Sequence, residues 1–200
     1  MALTITQDKV LAEVLGAGPG TGRLARQAVL VLIGIAVLTI SARISVPMWP
    51  VPVTMGTFAV LALGAAYGPG LGLVTILGYM ALGVMGFDVF AGSSAEAHGI
   101  AYMMGGTGGY LVGYVLATVA LGLLARRGWD RSAVWMAAAM VIGNAIIYVP
   151  GVLWLGVLYG WDQPILAWGL WPFLIGDGLK LGLAALLIPG LWTLLGRARG

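Results

Sequence analysis

Cysteine is absent from this 200-residue chain, and histidine occurs once, at His98. Disulfides and thiolate metal sites are therefore excluded, and a single imidazole argues against a transition-metal centre. Charge is scarce as well, since only 8% of the residues are Asp, Glu, Lys or Arg, against about 25% in soluble domains. We expect neither a disulfide-bonded module nor a resident metal or cofactor.

Apolar residues make up the bulk of the chain. They account for 60% of it, and the mean hydropathy is +1.01. This composition predicts an integral membrane protein with one compact membrane domain. The formal charge of +3 does not indicate a nucleic-acid partner, because the basic residues flank apolar runs and report orientation in the bilayer.

The hydrophobic pattern predicts an all-α protein with six transmembrane helices, since a crossing needs about 17–25 residues. The predicted spans are Ala28–Ser45, Val53–Tyr67, Gly70–Met85, Gly108–Ala125, Ala133–Val149 and Pro172–Leu195. A tight turn, Gly68-Pro69-Gly70, joins the short second and third spans, and an interfacial piece, Gly151–Tyr159, precedes the last span. Prolines at 47, 50 and 52 break the chain after the first helix.

Basic residues predict the orientation of these spans. With six crossings, the arginines at 126, 127 and 131 lie on the same side as those near both termini, which the positive-inside tendency places in the cytoplasm. A five-span reading would put that cluster outside. We therefore expect a cytoplasmic N-terminal segment at 1–27, a six-helix domain at 28–195 and a cytoplasmic tail at 196–200.

Two opposite charges mark the last span. Asp177 and Lys180 are three residues apart, which puts them on one face of a helix, and an ionised group within a bilayer is rare and costly. One interpretation is that they grip a polar ligand. The other is that Asp177 caps the last helix and pairs with Lys180, with no ligand involved.

Three unusual segments meet at one end of the predicted bundle. They are the proline-rich stretch 45–57, the glycine-rich stretches 86–94 and 105–109, and the tryptophan-bearing stretch 159–180. Irregular backbone at membrane depth is tolerated where it lines a cavity, so we expect a cavity that opens outward beneath these loops. GxxxG spacings at 64–68, 109–113, 156–160 and 178–182 predict close helix packing.

A series of motifs resembles the BioY family, the biotin-specific substrate-binding subunits (S components) of energy-coupling factor (ECF) transporters. The motifs, in the family's order, are Ile44-Ser-Val-Pro, Pro50-Val-Pro-Val-Thr54, Thr57-Phe58, Val89-Phe-Ala-Gly92, Gly106-Thr-Gly-Gly-Tyr110-Leu, Gly143-Asn144 with Tyr148, and Pro172-Phe-Leu-Ile-Gly-Asp-Gly-Leu-Lys180. Here Met55-Gly56 precede Thr57, where the family usually has a Thr-Leu-Gln-Thr-Phe-like run.

This resemblance implies a six-helix S component in a bacterial cytoplasmic (inner) membrane. Such a subunit captures biotin from outside and works with a transmembrane coupling (T) protein and ABC-type ATPase subunits. It is not an enzyme.

Biotin carries a carboxylate, a ureido ring and an apolar thiophane, so its site needs a cation, an acceptor, donors and aromatic walls. In the site that the resemblance implies, Lys180 supplies the cation and Asp177 the acceptor for the ureido N–H groups. The other predicted site residues are the polar Asn144, Thr54, Thr57 and Thr107 and the aromatic Phe90, Tyr110, Tyr148 and Trp171. Each has a structural alternative: Asn144 can bond between helices, the threonines can satisfy backbone carbonyls, and Arg43 can snorkel to the interface or meet the carboxylate.

Other functions stay open on the residues alone. The chain could be an S component for another vitamin, because one fold serves many sites, or a small carrier or channel. An intramembrane enzyme using Ser93, Ser94, Glu96 and His98 is disfavoured because no nucleophile elbow accompanies them. The glycine-rich stretch 16–23 lacks the lysine of a phosphate loop.

Overall fold

The fold is a bundle of long α-helices, seen here in a computed structural model that describes residues 9–14, 22–91 and 99–197, with side chains described as far as residue 195. The elements in order are α1 (Leu11–Val14), α2 (Gly22–Arg43), β1 (Ser45–Val46), β2 (Val53–Thr54), α3 (Gly56–Val84), α4 (Gly99–Met103), α5 (Gly108–Arg126), a 3-10 turn (Trp129–Arg131), α6 (Ala133–Tyr159), α7 (Ile165–Gly169) and α8 (Trp171–Arg197).

Helix α3 folds back on itself at Gly68, whose backbone has φ 76° and ψ 176°. A Cβ placed on Gly72 would lie 3.7 Å from the Cα of Gly64, although eight residues of a straight helix would separate the two by about 12 Å. The predicted turn at Gly68-Pro69-Gly70 is therefore confirmed. It divides α3 into a first arm, residues 56–67, and a second arm, residues 69–84.

Length and composition suit these helices to a membrane. Among the described residues, five helical stretches are long and apolar enough to cross one, and α3 is one of them. Since α3 is two antiparallel arms, the described chain has six membrane helices, as the hydrophobic pattern predicts. Helix α2 begins at Gly22, earlier than the predicted Ala28.

Helix α6 differs from the prediction. It runs unbroken from Ala133 to Tyr159 with Pro150 inside it, so the separate interfacial piece at 151–159 is wrong. A proline removes one N–H donor from a helix but does not have to end it in a membrane, where adjacent helices support the backbone. Here α5 packs closely at that point: a Cβ on Gly109 would lie 2.3 Å from the Pro150 carbonyl oxygen, and one on Gly151 would lie 2.5 Å from the Tyr110 ring.

Loops gather at one end of the bundle, which we call the loop end. The proline-rich stretch after α2 forms a short antiparallel hairpin in which Ser45 pairs with Thr54, a small sheet that the all-α prediction lacks. Its tip carries Trp49, whose ring lies 5.4 Å from that of Tyr159 and 5.0 Å from that of Trp168. An added Cβ on Gly106 would lie 3.0 Å from the Pro50 carbonyl oxygen and 3.4 Å from the Tyr159 hydroxyl. These contacts confirm that the three segments meet.

The opposite end of the bundle, which we call the turn end, is closed by the N-terminal residues 9–14. Val10 is fully buried and packs against Gly68, where an added Cβ would lie 3.2 Å from its methyl groups. Glu13 forms an ion pair with Arg126 at 2.7 Å. These contacts tie the N-terminal residues to both α3 and α5.

Candidate functional site

A chamber lies inside the bundle beneath the hairpin. Its described lining is mostly aromatic and aliphatic with interspersed hydroxyls: Leu38, Ala42, Val51, Pro52, Thr54, Gly56, Thr57, Tyr79, Phe90, Ala91, Tyr102, Thr107, Tyr110, Leu111, Tyr114, Tyr148 and Phe173. About 50 Å³ of it is open to the centre of a water molecule, whereas one water needs about 10–15 Å³ on that measure. This volume has room for a few water molecules, and a larger ligand must spread the lining side chains.

Asp177 and Lys180 form a buried ion pair directly behind the wall of this chamber. The distance from Lys180 Nζ to Asp177 Oδ1 is 2.8 Å, and the two residues are only 5% and 6% exposed. Lys180 also donates to Thr57 Oγ1 at 2.8 Å, and Thr57 donates to Asp177 Oδ1 at 3.3 Å. Tyr148 donates its phenolic proton to Asp177 Oδ2.

The pair meets the chamber through two hydroxyls. Thr57 and Tyr148 line the chamber and bond the pair, while the pair itself lies behind them. Helix α8 begins at Trp171, so Asp177 lies inside the helix and does not cap it. A buried ion pair is costly to desolvate unless further hydrogen bonds satisfy its atoms, and Thr57 and Tyr148 supply them.

The structure brings six of the ten predicted site residues to the chamber wall: Thr54, Thr57, Phe90, Thr107, Tyr110 and Tyr148. With Asp177 and Lys180 behind that wall, eight of the ten belong to one connected group. The threonines also make local bonds: Thr54 Oγ1 accepts from the Gly56 amide at 2.9 Å, and Thr107 Oγ1 donates to the Tyr102 carbonyl at 3.4 Å. A hydroxyl has one donor and two acceptor lone pairs, so these bonds leave each threonine with further hydrogen-bonding capacity.

Asn144 and Trp171 lie outside this lining. Asn144 faces a groove between α6 and α8, which Asp177 also lines from the side away from the chamber. The buried Asn144 Oδ1 has no hydrogen-bond partner among the described residues, so the alternative of a bond between helices is not seen for that atom. Trp171, 58% exposed, starts α8 at the surface.

Arg43 lies outside the chamber lining and pairs with a residue of a neighbouring loop. It ends α2 and forms an ion pair with Asp88 at 2.5 Å, and it also donates to the Asp88 backbone carbonyl. Both side chains are about half exposed. Arg43 therefore ties the end of α2 to the loop after α3, away from the chamber lining.

Three tyrosines and one phenylalanine in the lining escaped sequence reasoning. Tyr79, Tyr102, Tyr114 and Phe173 all face the chamber. Tyr79 donates to the Val89 carbonyl at 2.9 Å, and Tyr102 donates to the Ala91 carbonyl, so both hold the loop that presents Phe90. The sequence does indicate Tyr79 and Tyr114, because each lies within an apolar span and its phenolic hydroxyl needs a polar partner there.

Gly56 provides space for Tyr114. A Cβ on Gly56 would lie 2.9 Å from Thr54 Oγ1 and 3.1 Å from the Tyr114 hydroxyl. A side chain at position 56 would therefore collide with both groups.

The residues considered for catalysis, Ser93, Ser94, Glu96 and His98, lie outside the described residues, as does most of the glycine-rich stretch at 16–23. Among the residues that the structure does describe, no group of three or more His, Cys, Asp or Glu side chains could hold a metal ion.

Comparisons with known proteins agree with this architecture. The family model described as the BioY family matches residues 9–197. A probable biotin transporter BioY from Pyrococcus horikoshii is 36% identical over 163 residues, covering 82% of this chain and 94% of the relative. A biotin transporter BioY from Thermotoga maritima is 36% identical over 152 residues, covering 76% of this chain and 87% of the relative.

One solved structure shares the fold. A crystal structure of the S-component for biotin from an ECF-type ABC transporter superposes with a TM-score of 0.72. The two chains are 19% identical, and the match covers 88% of this chain and 95% of that one.

Proposed function

The chain belongs to the BioY family, whose model spans residues 9–197, and from that premise we propose that it is a biotin-binding uptake subunit. The observation that carries the proposal is the chamber itself, which combines aromatic walls with a buried ion pair reached through two hydroxyls. Biotin, an apolar bicycle with a polar rim and a charged tail, has matching chemistry. Biotin is also the cargo in the names of both relatives.

The ion pair takes the ureido end of biotin in this proposal. Because Asp177 Oδ1 and Lys180 Nζ are 2.8 Å apart behind Thr57 and Tyr148, a ligand that displaces these two hydroxyls meets both charges with one end. A ureido group carries N–H donors beside a carbonyl acceptor, so it can donate to the carboxylate while it accepts from the ammonium. This assignment replaces the idea that Lys180 binds the valerate carboxylate.

The valerate carboxylate then lies toward the first turn of α5. Thr107 precedes this 19-residue helix and lines the chamber, and the N-terminus of a helix stabilises an anion through its amide groups and dipole. The aromatic rings of Phe90, Tyr110 and Phe173 enclose the thiophane between the two polar ends. Asn144 and Trp171 lie away from this pose.

The proposal extends to the assembly and its location. The subunit lies in the cytoplasmic membrane with its loop end outward and both its N-terminal segment (1–27) and its tail (196–200) inside, and it captures biotin without chemical conversion. A T protein and ABC-type ATPase subunits supply the energy and reorient the subunit. The similarity to an S-component of an ECF-type ABC transporter supports these partners.

The direct test is equilibrium binding of labelled biotin to the purified, detergent-solubilised chain. We expect saturable binding at one site per chain, with no competition from excess thiamin or riboflavin. A folded chain that binds thiamin or riboflavin in preference to biotin would assign the chamber to another vitamin. A folded chain that binds none of the three would contradict the proposal.

A further inference from the structure

A second open groove at the surface of the bundle has no role in the proposed function. It is a groove of about 760 Å³ between the first half of α2 and the second arm of α3, at the turn end and thus remote from the chamber. Its rim carries Arg23, Arg26 and Arg126, and its floor includes Leu32, Leu71 and Val74. We call it the basic groove.

Charge at the rim is predominantly positive. Of the described side chains lining the groove, three are cationic and one, Glu13, is anionic. Glu13 pairs with Arg126 at 2.7 Å, and Arg26 donates to the Ala12 carbonyl at 3.0 Å. Arg23 forms no ion pair with any residue that the structure describes and is exposed. An anion that enters the rim therefore meets a net positive field.

The floor of the basic groove, in contrast, is apolar. Leu32 and Val74 are exposed apolar side chains at 67% and 57%, and they lie on helices suited to a membrane. At Gly70 an added Cβ would meet nothing within 4 Å, which marks open space beside the rim. A small inorganic anion would satisfy the arginines and leave this apolar trough empty.

We propose that the basic groove binds an anionic phospholipid, with its phosphate headgroup among the arginines and an acyl chain along the apolar floor. Only an amphipathic anion complements both parts, and a phospholipid is the amphipathic anion that surrounds a membrane helix. Basic pockets between transmembrane helices commonly bind such headgroups. Because α2, α3, α5 and the N-terminal residues all border the groove, the lipid would bridge them.

The test is a titration of the purified chain in neutral detergent with dioleoyl phosphatidylglycerol, followed by native mass spectrometry. Dioleoyl phosphatidylcholine has the same chains and a neutral headgroup, and glycerol phosphate has the anion alone. We expect preferential retention of one phosphatidylglycerol. Arg23→Gln should weaken its retention about fivefold, from about 1 kcal/mol per basic residue near a charged membrane surface, and Gly70→Leu should also weaken it by filling the trough.

Two matched controls make the test specific. Arg127→Gln removes the same charge from an exposed arginine at the same end but outside the groove, and Gly190→Leu enlarges a glycine that also has open space around it. Both should retain phosphatidylglycerol as the wild type does. Equal loss in Arg127→Gln, equal retention of phosphatidylcholine, or full competition by glycerol phosphate would each overturn the lipid site. None of these outcomes depends on biotin binding.

Discussion

At the scale of single residues, the central question is whether the Asp177–Lys180 pair binds a ligand or only stabilises the fold. The pair is buried and forms hydrogen bonds with Thr57 and Tyr148, and this geometry by itself is compatible with a purely stabilising role. Removing one partner of a buried pair costs about 3–5 kcal/mol because the other charge is left uncompensated, whereas replacing both by neutral groups is often tolerated. A variant that replaces both residues therefore tests the binding role without leaving an uncompensated charge.

We expect the double variant Asp177→Asn with Lys180→Met to fold and to lose biotin affinity by at least about 30-fold, since truncating a buried charged contact costs about 2 kcal/mol or more. The measurement is a labelled-biotin isotherm for the wild type and the double variant, with the thermal unfolding midpoint as the check on folding. Biotin amide, which lacks the carboxylate charge, should lose affinity in the variant by the same factor.

Two results would count against this assignment. Wild-type biotin affinity in the folded double variant would show that the pair only cancels its own charge. A large loss for biotin with none for biotin amide would return the carboxylate to Lys180. The single variant Lys180→Ala should weaken binding as well, but it also leaves Asp177 uncompensated and is less informative.

At the scale of elements, glycine decides how closely the helices approach. In the 109–113 motif, a Cβ on Gly113 would lie 2.7 Å from the Ile147 Cα of α6, so this motif packs α5 against α6. In the 178–182 motif, neither glycine has a neighbour within 4 Å of an added Cβ. The same spacing therefore marks a helix contact in one place and an open helix surface in the other.

Gly122 offers a prediction at this scale. An added Cβ would lie 2.4 Å from the Pro69 nitrogen in the turn of α3, and a backbone neighbour cannot move aside cheaply. Gly122→Ala should destabilise the protein by about 1–3 kcal/mol, the usual cost of overpacking, and lower its thermal unfolding midpoint.

The matched control is Gly70→Ala, on the other side of the same turn, where an added Cβ meets open space. Its midpoint should equal or slightly exceed that of the wild type, because alanine favours a helix over glycine. Equal midpoints for the two variants would show that α5 does not pack tightly on the turn.

At the scale of the whole molecule, Asp130 joins parts that are distant in the chain. It lies in the 3-10 turn between α5 and α6, is 1% exposed, and accepts a hydrogen bond from Trp192 Nε1 of α8 at 2.6 Å. The next residue, Arg131, stacks over the Trp192 ring at 4.5 Å and donates to the Lys9 carbonyl at 3.2 Å. The turn end is thus held by one small cluster.

Burial raises the pKa of Asp130 to about 6, against an opposing effect of the Trp192 bond and the Arg131 charge. Since this pKa is above its ordinary value of 3.8, the folded state holds the proton more tightly. Stability should therefore fall as pH rises from about 4 to 6 and level off above, by at most about 3 kcal/mol for two pKa units. Unfolding midpoints across pH 4 to 8 measure this slope.

Asp130→Asn keeps an acceptor for Trp192 and removes the charge. Relative to the wild type, the variant should gain stability as pH rises from 4 to 6 and hold that gain at higher pH. Other titrating groups are common to both proteins and cancel in the difference. Parallel midpoint curves for the two proteins would contradict a buried, proton-binding Asp130.

Much of this architecture can be read from the sequence because a bilayer leaves few options. Apolar runs of this length form helices there, because a spanning helix satisfies all of its own backbone hydrogen bonds, and the Gly-Pro-Gly stretch at 68–70 breaks one of them. The motif order locates the chamber-lining hydroxyls of Thr57 and Tyr148. Helix α6 could not be predicted from local sequence alone. Pro150 indicates a helix boundary in the sequence, whereas in the structure the helix continues and α5 packs tightly against it.

Composition and hydrophobic order alone make this chain a six-helix membrane protein, since a low charge content and long apolar runs exclude any soluble fold, and the ordered motifs carry its resemblance to the BioY family. The three-dimensional packing alone decides which side chains share a space. It gathers Tyr79, Tyr114 and Phe173 from three helices at one chamber, sets Asp177 and Lys180 behind Thr57 and Tyr148, and leaves Trp171 outside. The physical reason is that a helix fixes the spacing of its own side chains, whereas only contact between helices fixes the direction that each face takes.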